Sequence, residues 1–342
     1  DIEFSVKRYV FDAFSAMAFG IIASLVTGLI IKTIGEQTQI GFGENAISGF
    51  LIVIGGTAMS MMGPAIGIAI ANALKAPTLV LFSSAATGWL GAMAWTEGGI
   101  AGGPAGAFLA VVIGVEVGKM VSKETVIDII ITPAVTVLVG GLVARLVGPL
   151  VGALMTGLGS VIMRATEMQP FWMGIIVSVI VGLVLVSPLS SAALCMMLGL
   201  TGLAAGASTV GCCVQMIGFA IISFRVNGIA GLFGQGLGTA KLQLANAIKN
   251  PKILIPTTVV SAILGPVSTI TLKMTNISAG AGMGTSGFVG QIGTFTDMGF
   301  TLTVLWKVLI LHIALPALLS WLIYLVLKKW SIIKDADLKL DL

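Results

Sequence analysis

The sequence predicts an all-α, polytopic membrane protein of about ten transmembrane helices, folded as two inverted halves with broken or re-entrant segments. Three observations carry this reading. Hydrophobic residues make up 57% of the chain and charged residues 9%, with a mean hydropathy of +1.09. A soluble surface draws on about 25% charged residues, so this chain cannot cover itself for water. Apolar runs of about twenty residues recur, as spanning helices require, and the alternating strands of a lipid-facing β-barrel are absent. Finally, AFGIIASLVTGLII at 18–31 returns as WMGIIVSVIVGLVL at 172–185. Gly20, Ile21, Ile22, Ser24, Gly28 and Leu29 match Gly174, Ile175, Ile176, Ser178, Gly182 and Leu183 at identical spacing. A duplicated span half a chain apart marks the two-repeat plan of many secondary transporters, which hold a solute between repeats.

The crossings are expected at about 11–34, 47–74, 77–95, 103–121, 126–147, 170–187, 189–205, 209–225, 253–274 and 302–327. Pro64, Pro133, Pro188, Pro256 and Pro266 mark breaks or ends. Residues 148–163 are short for a span and are expected to re-enter. Residues 228–250 read as a Gly-rich loop at membrane depth followed by an interfacial helix. With a cytoplasmic N-terminus, the inner side then holds Lys7, Arg8, Lys75, Lys119, Lys123, Arg225, Lys241, Lys249, Lys252, Lys328, Lys329, Lys334 and Lys339. That is most of the 18 basic residues, as the positive-inside bias requires. The halves are expected at 1–168 and 169–342, with the second running upside down. Gly99-Ile100-Ala101-Gly102 returns as Gly228-Ile229-Ala230-Gly231, a weaker echo of the same repeat. No soluble domain is expected, and both termini are read as cytoplasmic.

The polar residues left at membrane depth are the candidates for chemistry. Glu97 lies in a Gly-rich turn, Trp95 to Pro104, where backbone amides can approach a ligand and a carboxylate can accept from hydroxyls. A solvated outer turn fits as well. Thr285, Ser286 and Gln291 belong to SAGAGMGTSG (278–287) and its flank, too apolar for a water loop and too broken for a helix. Such backbone lines a cavity or packs against protein. His312, the only histidine, sits in the last crossing. Pro316 cannot donate to the carbonyl of residue 312, so the helix is weakened there. An ionisable group inside a span is a functional candidate, or a neutral ring bonded to a neighbouring helix. Asn72, Gln215, Asn227 and Gln235 are amides in or beside apolar helices, suited to hydroxylated ligands or to gluing helices together.

Other features read as structural. Glu116 and Lys119, three apart, pair on one helix face. Asp128, three after Thr125, resembles a capping box. Cys195, Cys212 and Cys213 are buried hydrophobes with no metal spacing to His312. No catalytic set, cofactor motif or metal site is present, and the +4 charge does not imply nucleic acid.

MMGPAIGIAIANALKAP (61–77), TEGGIAGGPAGAF (96–108) and SAGAGMGTSGFVGQIGTF (278–295) resemble the membrane-embedded IIC component of the bacterial sugar phosphotransferase system, in its perfringolysin-regulator-like branch. The resemblance implies a homodimer in the bilayer of the bacterial inner membrane that conducts a sugar or similar solute. Its classical members use a partner IIB protein to phosphorylate the sugar, and hold the sugar with the glutamate of a Gly-Ile-Thr-Glu motif. Here only Thr96-Glu97 matches, after Ala94-Trp95, and phosphotransfer would need separate IIA and IIB proteins. The expected function is transport of a small sugar-like solute by alternating access. A membrane-embedded solute sensor and a phosphotransfer-coupled permease are the alternatives.

Overall fold

A computed structural model describes residues 7–340 except 44, 98 and 188; the side chains of Lys7, Val10, Phe11 and Phe42 also lie outside it. The expectations for Gly98, Pro188 and Lys7 therefore fall outside the described residues. The rest is helical, with one isolated antiparallel bridge, Gly202 with Asn276. The chain divides into two compact units, Asp1–Leu158 and Gly159–Leu342.

In the first unit α1 (Phe14–Gly41) packs along α2 (Ala46–Ser60) and α3 (Met62–Ala73), an apolar helix pair bent by 49°. Asn45 starts α2 with a capping box: Ser48 N donates to Asn45 Oδ1 at 2.8 Å and Asn45 N to Ser48 Oγ at 3.1 Å. There follow α4 (Thr78–Ala92), α5 (Gly103–Val121) and α6 (Asp128–Leu146), packed on one another. The Leu74 carbonyl, at the end of α3, accepts from Arg8 Nη2 (2.9 Å) and Lys119 Nζ (3.0 Å). Glu116 pairs with both cations, at 3.1 and 3.3 Å. The expected Glu116–Lys119 pair is thus part of a larger knot that ties α5 and the chain's start to a helix C-terminus.

Thr125 and Asp128 do not form the expected capping box. Asp128 Oδ1 instead accepts from Lys123 N (2.7 Å) and Thr132 Oγ1 (2.5 Å), because the turn at 122–127 leaves Ile127 at the N-cap. Residues 148–163, expected to re-enter, lie within a continuous helix. Gly148–Met168 (α7) is one unbroken helix of 21 residues, about 32 Å long and long enough to cross. Its glycines serve contact, not breakage: a Cβ at Gly152 would lie 2.3 Å from Ala101 O.

The second unit is built around α10 (Gly202–Ile222), buried along nearly its whole length. Around it stand α8 (Pro170–Val186), the short α9 (Ser191–Leu198), a span at Pro251–Thr271 (α13) and the last span, Leu302–Lys329 (α16). The crossing expected at 189–205 is not one helix. Gly199, at φ +61, ends α9, and α10 begins only at Gly202. Between α10 and α13 run α11 (Phe224–Phe233), bent at Gly228, and α12 (Leu244–Lys249). Gly228 itself is non-helical (φ 58°, ψ -153°) and Ile229–Gly231 follow it as helix, whereas described residues 99–102 lie outside any helix. Between α13 and α16 lie α14 (Ser278–Ala281) and α15 (Val289–Met298).

Among the described residues seven helices are long and apolar enough to cross, or eight with the bent pair; Thr78–Ala92 and Pro170–Val186 are shorter apolar helices. The protein is an all-helical, polytopic membrane protein.

Candidate functional site

Irregular backbone at membrane depth must find its partners inside the protein. In the second unit the chain breaks at 187–201 and again at 272–288, and the two breaks meet. Gly202 N donates to Asn276 O at 3.1 Å, and Asn276 N returns a bond to Gly202 O at 3.3 Å. Ser191 Oγ donates to Gly282 O (2.7 Å) and Ser208 Oγ to Ala281 O (2.6 Å). Asn276 Nδ2 donates to Thr209 Oγ1 (2.7 Å) and Gly290 O (2.9 Å), and its Oδ1 accepts from Ile277 N (2.8 Å). Gly284 has φ +55, and a Cβ there would stand 2.8 Å from the Cys212 main chain, so both conformation and space call for glycine. The Gly-rich stretch is a packed, buried loop from Ala279 to Thr285.

This loop positions α15, and α15 brings Gln291 to His312. Gln291 Nε2 lies 3.3 Å from His312 Nδ1 and 3.4 Å from Cys213 Sγ. His312 lies in a π-wound stretch, Leu309–Ala314, where Pro316 interrupts the ordinary ladder. An amide N–H facing Nδ1 makes that nitrogen the acceptor and puts the ring proton on Nε2. His312 Nε2 and Gln291 Oε1 are both buried and have no hydrogen-bond partner among the described residues. The site thus offers one free donor and one free acceptor on adjoining side chains, the complement of a hydroxyl. Phe295, one turn along α15 from Gln291, lines a cleft of about 350 Å³ with Phe300, Thr301, Leu302 and Leu305. Leu305 is two turns from His312 on α16.

The other candidates separate. Thr285 Oγ1 donates to Gly236 O at 2.6 Å, which anchors the loop; Ser286 is half-buried beside it. Gln215 is fully buried with neither amide atom partnered. It faces Gly182, whereas Cys213, two residues away on α10, faces Gln291. Asn227 and Gln235 hold the segment near Leu338: Asn227 Nδ2 donates to Leu338 O (2.9 Å), and Gln235 Nε2 to Ser223 Oγ (2.8 Å). Asn72 is exposed at the end of α3. Glu97 is exposed on the turn after α4, near a cleft of about 250 Å³ where Arg145 lies 5.7 Å from the Trp95 ring. Sequence reasoning missed Ser191, Ser208, Thr209 and Asn276, since hydroxyls in apolar helices carry no local mark of the carbonyls they reach.

The chain matches the family described as phosphotransferase system, EIIC, over residues 11–340. It belongs to that family. No curated relative and no solved structure matches it. Membership makes the protein a multi-pass membrane component of sugar-type transport by a phosphotransferase-system permease.

Proposed function

We propose that this EIIC protein carries a neutral, hydroxylated solute, a sugar or polyol, by alternating access, and that Gln291 and His312 contact its hydroxyls. The observation that carries the reading is the unpartnered pair His312 Nε2 and Gln291 Oε1 within a hydrogen-bonded break of the helices. Buried polar groups are ordinarily satisfied, so a matched free donor and acceptor favour a ligand with both functions. Phosphorylation of the solute falls to IIA and IIB components, the partners that the EIIC family implies.

The membrane is the bacterial inner membrane, with the basic end of each unit in the cytoplasm. In the first unit that end carries Arg8, Lys75 and Lys119; in the second, Lys241, Lys249, Lys328 and Lys329. On this topology α7 starts and finishes on the outer side and lies along the interface, and the duplicated spans around Gly20 and Gly174 run in opposite directions.

The test is purified protein tested by thermal shift and by liposome uptake against sugars, sugar acids and polyols. A ligand at a hundred times its Kd stabilises the folded state by about 2.7 kcal/mol. A hit lost in Gln291→Ala and His312→Ala supports the site. Uptake that survives both substitutions removes the site, and binding without uptake favours a sensor over a transporter.

A further inference from the structure

Three amides form a clamp on the segment that follows the last span. Asn227 Nδ2 and Gln243 Nε2 both donate to Leu338 O, at 2.9 and 3.0 Å. Leu340 N donates to Asn227 Oδ1 at 2.8 Å, and Asn246 Nδ2 to Lys339 O at 2.8 Å. Three successive residues are thus read through their main chain, while Leu338 and Ile333 are buried as apolar anchors. Lys328 Nζ grips both oxygens of Asp335 at 2.7 Å, and Tyr324 Oη donates to Asp335 Oδ1.

The clamp does not end at this strap. Gln243 Nε2 donates to Gln235 Oε1 (2.9 Å), and Gln235 Nε2 to Gly231 O (3.0 Å) as well as to Ser223. Gln235 is fully buried in the π-turn Gly234–Gly238, and the next residue, Gly236, accepts from Thr285 Oγ1. Thr285 ends the buried loop that seats Gln291 against His312 and Gly284 against Cys212. Hydrogen bonds joined through the backbone between Gln235 and Gly236 therefore run from Leu338 to the loop of the candidate site.

We propose that residues 330–340 are a releasable strap: docked, they hold the 234–238 turn and, through Thr285, keep the 278–288 loop seated; undocked, they let that loop loosen. The strap rests mostly on single hydrogen bonds to its main chain and two apolar anchors, few enough contacts for local release without global unfolding. Proposed transport of any solute is not required for this.

The native cysteines report the event. All three are buried, Cys212 against Gly284 and Cys213 against Gln291. In full-length protein in nanodiscs, Leu338→Ala and Gln243→Ala should each abolish hydrogen-exchange protection at 336–340. Each should also raise the rate of maleimide labelling at Cys212 and Cys213 by about tenfold or more, the scale for one lost buried hydrogen bond in Gln243→Ala and for a truncated buried apolar anchor in Leu338→Ala, with exchange in α10 unchanged. A second protein, Asn227→Cys with Leu340→Cys, locks the strap by a disulfide and should slow labelling until it is reduced. The proposal is overturned if the strap loses protection while labelling stays at the native rate, or if locking and unlocking leave labelling unchanged. Both readouts work without a solute, so they stand or fall separately from the transport reading.

Discussion

Asp335 shows how one side chain sets the conditions under which the strap is held. The Lys328 ammonium and the Tyr324 hydroxyl keep its carboxyl below the usual aspartate value of 3.8, with Arg225 adding to this. A group whose folded pKa is depressed stabilises the fold above its unfolded pKa and loses that contribution as pH falls through the folded value. Strap protection in hydrogen exchange should therefore hold from neutral pH down to the ordinary aspartate range and fail only below it. Asp335→Asn should weaken it at neutral pH, and the difference from the native protein should vanish once the native carboxyl is itself protonated. A loss centred above the ordinary aspartate value would show that this carboxylate is not what holds the strap. At the solute site the expected effect is larger. Gln291→Ala and His312→Ala should each weaken sugar binding by about tenfold, the worth of one hydrogen bond to a buried polar group. Asn72→Ala, exposed on α3, should leave binding unchanged in the same titration.

Glycine spacing decides how the helices meet. A Cβ at Gly211 would lie 1.9 Å from Ser178 O, a main-chain atom that cannot swing aside. A Cβ at Gly56 would meet nothing within 4 Å. Gly211→Ala should therefore destabilise the protein by about 1–3 kcal/mol, and Gly56→Ala should be neutral, in parallel thermal melts. Equal melting temperatures would show that α8 and α10 are not in close contact. Much of this was legible in the sequence. Gly28 and Gly182 recur at matched positions, and both become close contacts, to Gly55 O and Gly211 O respectively. The weak point at His312 was legible too, from the Pro316 spacing. The break within 189–205 was not, because Ser191–Leu198 is as apolar as any span and only Gly199 marks its end. In the sequence Lys241 is one of a basic group. It donates to Ser187 O and Leu189 O, closing the end of α8, and burial pushes its ammonium down to about 8. The clamp was hidden by distance along the chain: Asn227 and Leu338 are 111 residues apart, and no local pattern connects an amide to a carbonyl at that range.

For the molecule as a whole the decisive quantity is which faces of the two units share a compartment. Each unit gathers a group of basic residues at one end, and internal contacts hold several of them. Arg8, Lys119 and Leu74 lie together in the first unit. In the second, Lys241 meets Ser187, while Ser223, Gln235, Gln243 and Leu338 form one network. The proposed orientation follows from the cost of carrying several lysines outward. If both basic ends face the cytoplasm, α7 joins two outer ends and cannot cross, although its length of 21 residues would allow it. Its polar residues Arg164 and Glu167 suit an interface, where they reach headgroups and water. Cysteines placed singly at Lys75 and Lys249, in a background with the native thiols replaced, should both react with a membrane-impermeant maleimide only from the cytoplasmic side. A cysteine at Gln169, just past the end of α7, should react from outside. Labelling of positions 75 and 249 from opposite sides would mean that α7 crosses and that the duplicated spans run parallel. Alternating access between inverted repeats would then lose its structural basis.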